Sequence, residues 1–137
     1  MAETIQRVDY VYVTVPDAPG EGDRVLSALK DSGVNLLACL GFPAGDGRSQ
    51  LDLVAEDAES LRAALAATGV TPSEVKHAFL VQGDDRVGAV ADTTAKLADA
   101  SINVTAVAAV GAGSGRYGMI LWVAPSGYEN AAAALGA

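Results

Sequence analysis

Few side chains in this sequence can do covalent or metal chemistry. His77 is the only histidine and Cys39 the only cysteine. A Ser/His/Asp or Cys/His nucleophile system would have to be built on His77, and no serine sits in the sharp strand-to-helix setting of a nucleophile elbow. His77 has no second metal ligand at a matching spacing, and a single cysteine forms no intrachain disulfide. Cys39 lies mid-strand in an apolar run, which reads as core. Carboxylates alone can still do acid–base work, and Asp84, Asp85 and Arg116 are the set on which a small enzyme would rest. Gly113-Ser114-Gly115-Arg116-Tyr117-Gly118 spells G-x-G-x-x-G, but a dinucleotide site needs that string to open a helix. Met119 to Val123 follows and reads as a strand, so the string is a hairpin loop. Binding rather than catalysis is expected, with no cofactor and no metal.

The polar turns recur. Sliding the chain along itself by 68 positions sets Asp17 on Asp85, Gly20 on Gly88, Leu29 on Leu97, Asp31 on Asp99 and Asn35 on Asn103 without a gap. Ala44, Gly45, Gly47 and Arg48 fall on Ala112, Gly113, Gly115 and Arg116. Matches concentrated at turns and helix ends mark an internal repeat. The expected domains are 1–73 and 74–137.

Each repeat must position its turn with the same elements. Val8 to Val15 alternates valines with Tyr10, Tyr12 and Thr14, a strand with two distinct faces. After the Asp17–Gly20 turn, Val25, Leu26 and Leu29 give a helical stripe, which Gly33 stops. Val34 to Phe42 reads as a strand, Pro43–Gly47 as a hairpin loop, Gln50 to Ala55 as a third strand and Ala58 to Thr68 as a second helix. A fourth strand is expected around Val70 to Glu74, held short or at an edge by Pro72. The second repeat follows with Val75–Val81, Gly88–Ala100, Ile102–Val110, Tyr117–Ala124 and Tyr128–Leu135. The fold class is therefore α+β: two ferredoxin-like βαββαβ units in tandem, the second lacking its final strand, with antiparallel sheets and helices on one face.

Half of the 137 residues are apolar and the formal net charge is −8. An acidic surface repels phosphate backbones and anionic membranes, and an RNA-binding βαββαβ sheet would need aromatics and basic flanks. No nucleic-acid or membrane partner is expected. The first residues have no signal-peptide layout, and no stretch approaches a membrane span, which points to the cytoplasm.

Asp17-x-Pro19-Gly20, a helix, and then Gly33-Val34-Asn35-Leu36 resemble an ACT domain. Asp85-x-x-Gly88 and Ser101-Ile102-Asn103-Val104 repeat the pattern, with Val87 in place of Pro19 and Ser101 in place of Gly33. The chain also resembles small stand-alone bacterial proteins made of two ACT domains, described as amino-acid binding. The resemblance implies a non-catalytic regulatory module that binds an amino acid where two ACT units meet. The residues implied are Asp17, Gly20, Asn35 and Leu36, with Asp84, Asp85, Gly88, Asn103 and Val104. A helix N-terminus would take the ligand carboxylate, an aspartate its ammonium, and Asn35 and Asn103 would donate and accept. The plainer readings are that Asp17 and Asp85 cap helices, that the asparagines close turns, and that Arg48 and Arg116 are solvated. An alternative function is an assembly module that regulates a separate enzyme or transcription factor without a ligand of its own.

The missing final strand would leave the edge of Val75–Val81 unpaired, a hazard that proteins cover or pair. A homodimer through that edge, or a segment of the first repeat laid along it, is expected.

Overall fold

The structure is a computed structural model that describes residues 3–137. Its elements run β1 (Thr4–Pro16), α1 (Glu21–Asp31), β2 (Leu36–Gly45), β3 (Arg48–Ala55), α2 (Ala58–Ala66), β4 (Lys76–Asp84), α3 (Ala89–Asp99), β5 (Val104–Gly113), β6 (Arg116–Val123) and α4 (Tyr128–Leu135). The chain divides into two compact units. One is the continuous stretch Asp9–Lys76; the other joins His77–Ala137 to the N-terminal segment up to Val8. Strand β1 thus serves one unit with its first residues and the other with the rest.

In the Asp9–Lys76 unit the strand order is β2-β3-β1. β3 lies antiparallel to both neighbours, with Val11 opposite Leu53 and Cys39 opposite Leu53 on the other side. Val11, Val13 and Val15 turn to the helices, as the alternation requires, and meet Val25 and Leu29 of α1 and Leu61 and Leu65 of α2. In the other unit the order is β1-β4-β6-β5. Phe79 of β4 and Leu121 and Val123 of β6 form a core with Leu97 of α3 and Tyr128, Ala131, Ala132 and Leu135 of α4. Val81, Tyr117, Met119 and Ala89 form a second cluster, and Ile5 packs against both.

The two repeats match down to their irregularities. β2 slips register between Leu36 and Ala38 and between Pro43 and Gly45. β5 slips between Val104 and Ala106 and between Gly111 and Gly113, the positions 68 residues on. The hairpin loop expected over Pro43–Gly47 is tighter than its sequence suggests. Pro43 to Gly45 remain in β2, and the turn itself is Asp46-Gly47, matched by Ser114-Gly115, all four with positive φ. That is the turn whose twist suits a two-residue hairpin. Ser101, in the place of Gly33, keeps the left-handed backbone of the glycine (φ 59 against 73).

Two expectations are corrected, and one stated as alternatives is decided. No strand forms over Val70–Glu74: the segment is irregular, because Pro72 lacks an N–H for a ladder. Ser73 ties it to β1, its N–H donating to the Tyr12 carbonyl (2.8 Å) and its Oγ accepting from the Tyr12 N–H (2.9 Å). Of the two covers expected for the β4 edge, the structure has the one within the chain: the first part of β1, a segment of the first repeat, lies beside β4. Finally, Cys39 is exposed rather than core, because β2 is an outer strand whose residues from Gly41 onward are all exposed. Partial burial and then the charge of Asp52 push its thiol above the usual range.

The helices cover one face of the strands, but the other face is also buried in places. Tyr10, Asp52 and Val54 in one unit, and Ala78, Leu80, Ile120 and Trp122 in the other, are each less than a tenth exposed.

Candidate functional site

Each unit carries a surface hollow at the end of its first repeat strand. The first, about 270 Å³, is bordered by Asp17 and Ala18 of the turn, Gly22 of α1, Gly41, Phe42 and Pro43 of β2, and Ser49. The second, about 290 Å³, is bordered by Asp85 and Arg86, Val90 of α3, Ala109, Val110 and Gly111 of β5, and Tyr117. These seven pairs are 68 residues apart, so one architectural position appears twice.

The local sequence explains the hollow. Gly20 and Gly88 stand at the N-caps of α1 and α3 with φ 85, and neither helix receives a side-chain cap. By contrast Asp57 caps α2, accepting from the N–H groups of Glu59 and Ser60. The first-turn N–H groups of α1 and α3 that no carbonyl takes are therefore left to solvent or to a ligand. Glycine is needed at both caps for its left-handed backbone; a Cβ at Gly20 or Gly88 would meet nothing within 4 Å.

Asp17 and Asp85 are not caps. The Asp17 N–H donates to the Gly47 carbonyl and the Asp85 N–H to that of Gly115, each at 2.8 Å, tying the turn to the neighbouring hairpin. The carboxylates then part company. Ser49 Oγ donates to Asp17 Oδ1 at 2.9 Å. Asp85 receives no hydrogen bond or ion pair from the described residues and lies along Gly111, where a Cβ would stand 3.3 Å from Oδ2. Beside it Arg86 pairs with Asp92 at 2.7 Å.

Asp17, Asp85 and Gly88 border the hollows, and Gly20 adjoins one as the cap of α1. The other expected site residues are not brought together with them. Asn35 and Asn103 are exposed at the far ends of β2 and β5, about 20 Å of strand from the hollows at 3.3 Å per residue. Leu36 and Val104 are half-buried against their cores. Asp84 is held by Arg116 at 2.9 Å, outside the hollow. Arg48 likewise folds back, onto the carbonyl and hydroxyl of Thr14 (3.1 Å each), so both recurring arginines brace their hairpins. Sequence reasoning missed Phe42 and Val110, which rim the hollows. Only the repeat offset could have found them, since apolar strand residues otherwise read as core.

Among the described residues no three His, Cys, Asp or Glu side chains gather as a metal set, and no helix is long and apolar enough to cross a membrane. His77 is exposed, with its ring 5.4 Å from that of Tyr128.

No protein-family profile matches the chain, and no curated protein matches it in sequence. Solved structures do match. Protein BT0572 from Bacteroides thetaiotaomicron is 14% identical with a TM-score of 0.82, over 96% of this chain and 88% of that one. The aspartokinase alpha and beta subunits are 16% identical with a TM-score of 0.64, over 98% and 95%. The ligand-free regulatory subunit of aspartate kinase from Thermus thermophilus is 18% identical with a TM-score of 0.62, over 98% and 94%. What the chain shares with them is the fold, two ACT-like units of ferredoxin type.

Proposed function

We propose that this protein is a non-catalytic regulatory module that binds a small molecule, an α-amino acid, at the hollow between the strand–helix turn and the outer strand. The observation that carries this reading is the duplicated hollow, walled each time by an uncapped helix N-terminus and an aspartate. Those groups complement a zwitterion: amide N–H groups at the positive end of a helix dipole suit a carboxylate, and an aspartate suits an ammonium. The regulatory role draws support from the fold shared with an aspartate kinase regulatory subunit. The hollows are open, so a neighbouring ACT unit completing the site fits this reading, as does a soluble cytoplasmic setting.

Thermal-shift measurements with the standard amino acids test it. A ligand of the folded state raises the melting temperature with concentration, by the equivalent of about 2.7 kcal/mol at a hundred times Kd. Asp85→Asn should abolish the response at the second hollow. No stabilisation by any amino acid would remove this reading.

One feature favours a second reading, an assembly surface for a separate regulated protein. Phe42 (40% exposed) and Val110 (67% exposed) are repeat-equivalent apolar residues on outer strands that carry no charge, and Val107 is 44% exposed on the same strand as Val110. Val110→Lys would weaken docking of a partner there while leaving the thermal stability of the isolated chain unchanged.

A further inference from the structure

The second hollow differs from the first in what stands behind it. Four pairs of repeat-equivalent positions diverge together: Val15 against Gly83, Ala18 against Arg86, Val25 against Thr93 and Ser49 against Tyr117. In the Asp9–Lys76 unit Val15 and Val25 are ordinary core residues. In the other unit the four positions build one cluster around the carboxylate of Glu3, at the head of the strand that covers β4. Tyr117, only 6% exposed, donates its hydroxyl to Glu3 Oε2 at 2.6 Å. Thr93, wholly buried, stands near the same hydroxyl and acts to lower its pKa. Arg86, paired with Asp92, is close enough to Glu3 for the charge of Glu3 to act on it. Gly83 makes room: a Cβ there would stand 3.2 Å from Glu3 Cγ and from Tyr117 Cε1.

Tyr117 and Arg86 are also walls of the hollow. We infer that Tyr117 and Glu3 form a latch between the second hollow and the N-terminal strand, which a ligand carboxylate opens by competing with Glu3 for Tyr117 and Arg86. The competition is exclusive at Tyr117, because a phenol has one proton to donate. That proton is retained through the physiological range: burial first, and then Glu3, push the hydroxyl up to about 12. Opening frees Thr4–Val8 and bares the β4 edge, whose unpaired backbone groups can then take another strand. The ligand arm of this inference rests on the proposed use of the hollow; the latch itself does not.

Hydrogen exchange on the whole chain tests both arms. Tyr117→Phe and Glu3→Gln should each speed exchange of the Thr4–Val8 amides about tenfold, the scale of one lost hydrogen bond to a charged group. Ser49→Ala, at the position equivalent to Tyr117, should leave those amides unchanged. The standard L-amino acids, added singly with the melting temperature recorded alongside, should speed the same amides in the wild type and not in Tyr117→Phe. Unchanged exchange in Tyr117→Phe would overturn the latch. An amino acid that raises the melting temperature without speeding those amides would overturn the coupling and leave the binding role standing. If none raises the melting temperature, the binding role falls and the coupling with it.

Discussion

Beside β1 in the Asp9–Lys76 unit runs an irregular segment, tied by Ser73 and packed through Val70 and Val75. Beside β4 in the other unit runs a regular strand that the chain supplied more than sixty residues earlier. The bulges, the turns and the hydrogen bonds from Asp17 and Asp85 to their hairpins have meanwhile stayed the same in both repeats. A repeat therefore preserves the backbone contacts made inside it. The edge strand lies at the boundary of a repeat, and there any segment that pairs the exposed N–H and C=O groups will serve.

The largest effect expected from this comparison is in the cores. Leu53 and Leu121 are repeat-equivalent and fully buried. Leu53→Ala and Leu121→Ala should each cost about 2–5 kcal/mol in urea denaturation. Losses differing by more than about 1 kcal/mol would show that the two cores are not packed equally well.

Next in size are the edges. Ile5→Lys places a charge where Ile5 meets both apolar clusters of its unit. It should cost roughly 2 kcal/mol and cause self-association in sedimentation, because it loosens the strand over β4. Ser73→Ala leaves the Tyr12 N–H without its partner and should cost about 1 kcal/mol. A larger loss from Ser73→Ala than from Ile5→Lys would reverse the contrast drawn between strand and irregular segment.

Smaller again is the exchange at the end of the first helix of each repeat. Ser101→Gly relieves a left-handed serine and should stabilise by up to about 1 kcal/mol, while Gly33→Ser should destabilise by a similar amount. Equal melting temperatures for wild type and Ser101→Gly would show that the left-handed serine costs nothing.

The smallest effect concerns position 52, where Asp52 is buried 68 residues before a buried Ile120. Burial raises the Asp52 pKa, against a lowering hydrogen bond from Gln50. The folded state therefore holds this proton more tightly than the unfolded chain. The group's contribution is favourable in acid, below the unfolded value of about 3.9, and is lost as pH rises through the folded pKa. Asp52→Asn should raise the melting temperature at pH 7 by no more than a few degrees, and the difference should shrink as pH falls towards 4. A pH-independent difference would contradict this account.

Much of the fold was legible because repetition and alternation are properties of the sequence itself. Val11, Val13 and Val15 announce a strand, and Asp85 on Asp17 announces a second copy. The pairing of Thr4–Val8 with β4 was not legible as such. The missing strand signalled a need for cover, but Thr4-Ile5-Gln6-Arg7 bears no mark of which edge it joins. The site was half legible. Asp17, Asp85 and Gly88 border the hollows, whereas Asn35 and Asn103 share a motif with them and stand at the opposite ends of the outer strands. Motif residues adjacent in a pattern need not be adjacent in space when a whole strand lies between them.

The shared β1 also sets an order of assembly. Every residue of the Asp9–Lys76 unit has been synthesised once Lys76 leaves the ribosome, and domains generally fold as units during synthesis. The other unit must bring Glu3 to Tyr117 across 114 residues and Arg7 to Glu129 across 122. Contacts so distant in sequence are slow to form, because loop closure precedes their reward. One repeat can thus mature while the other is still being translated, and its finished β1 holds out the strand that the later repeat will need.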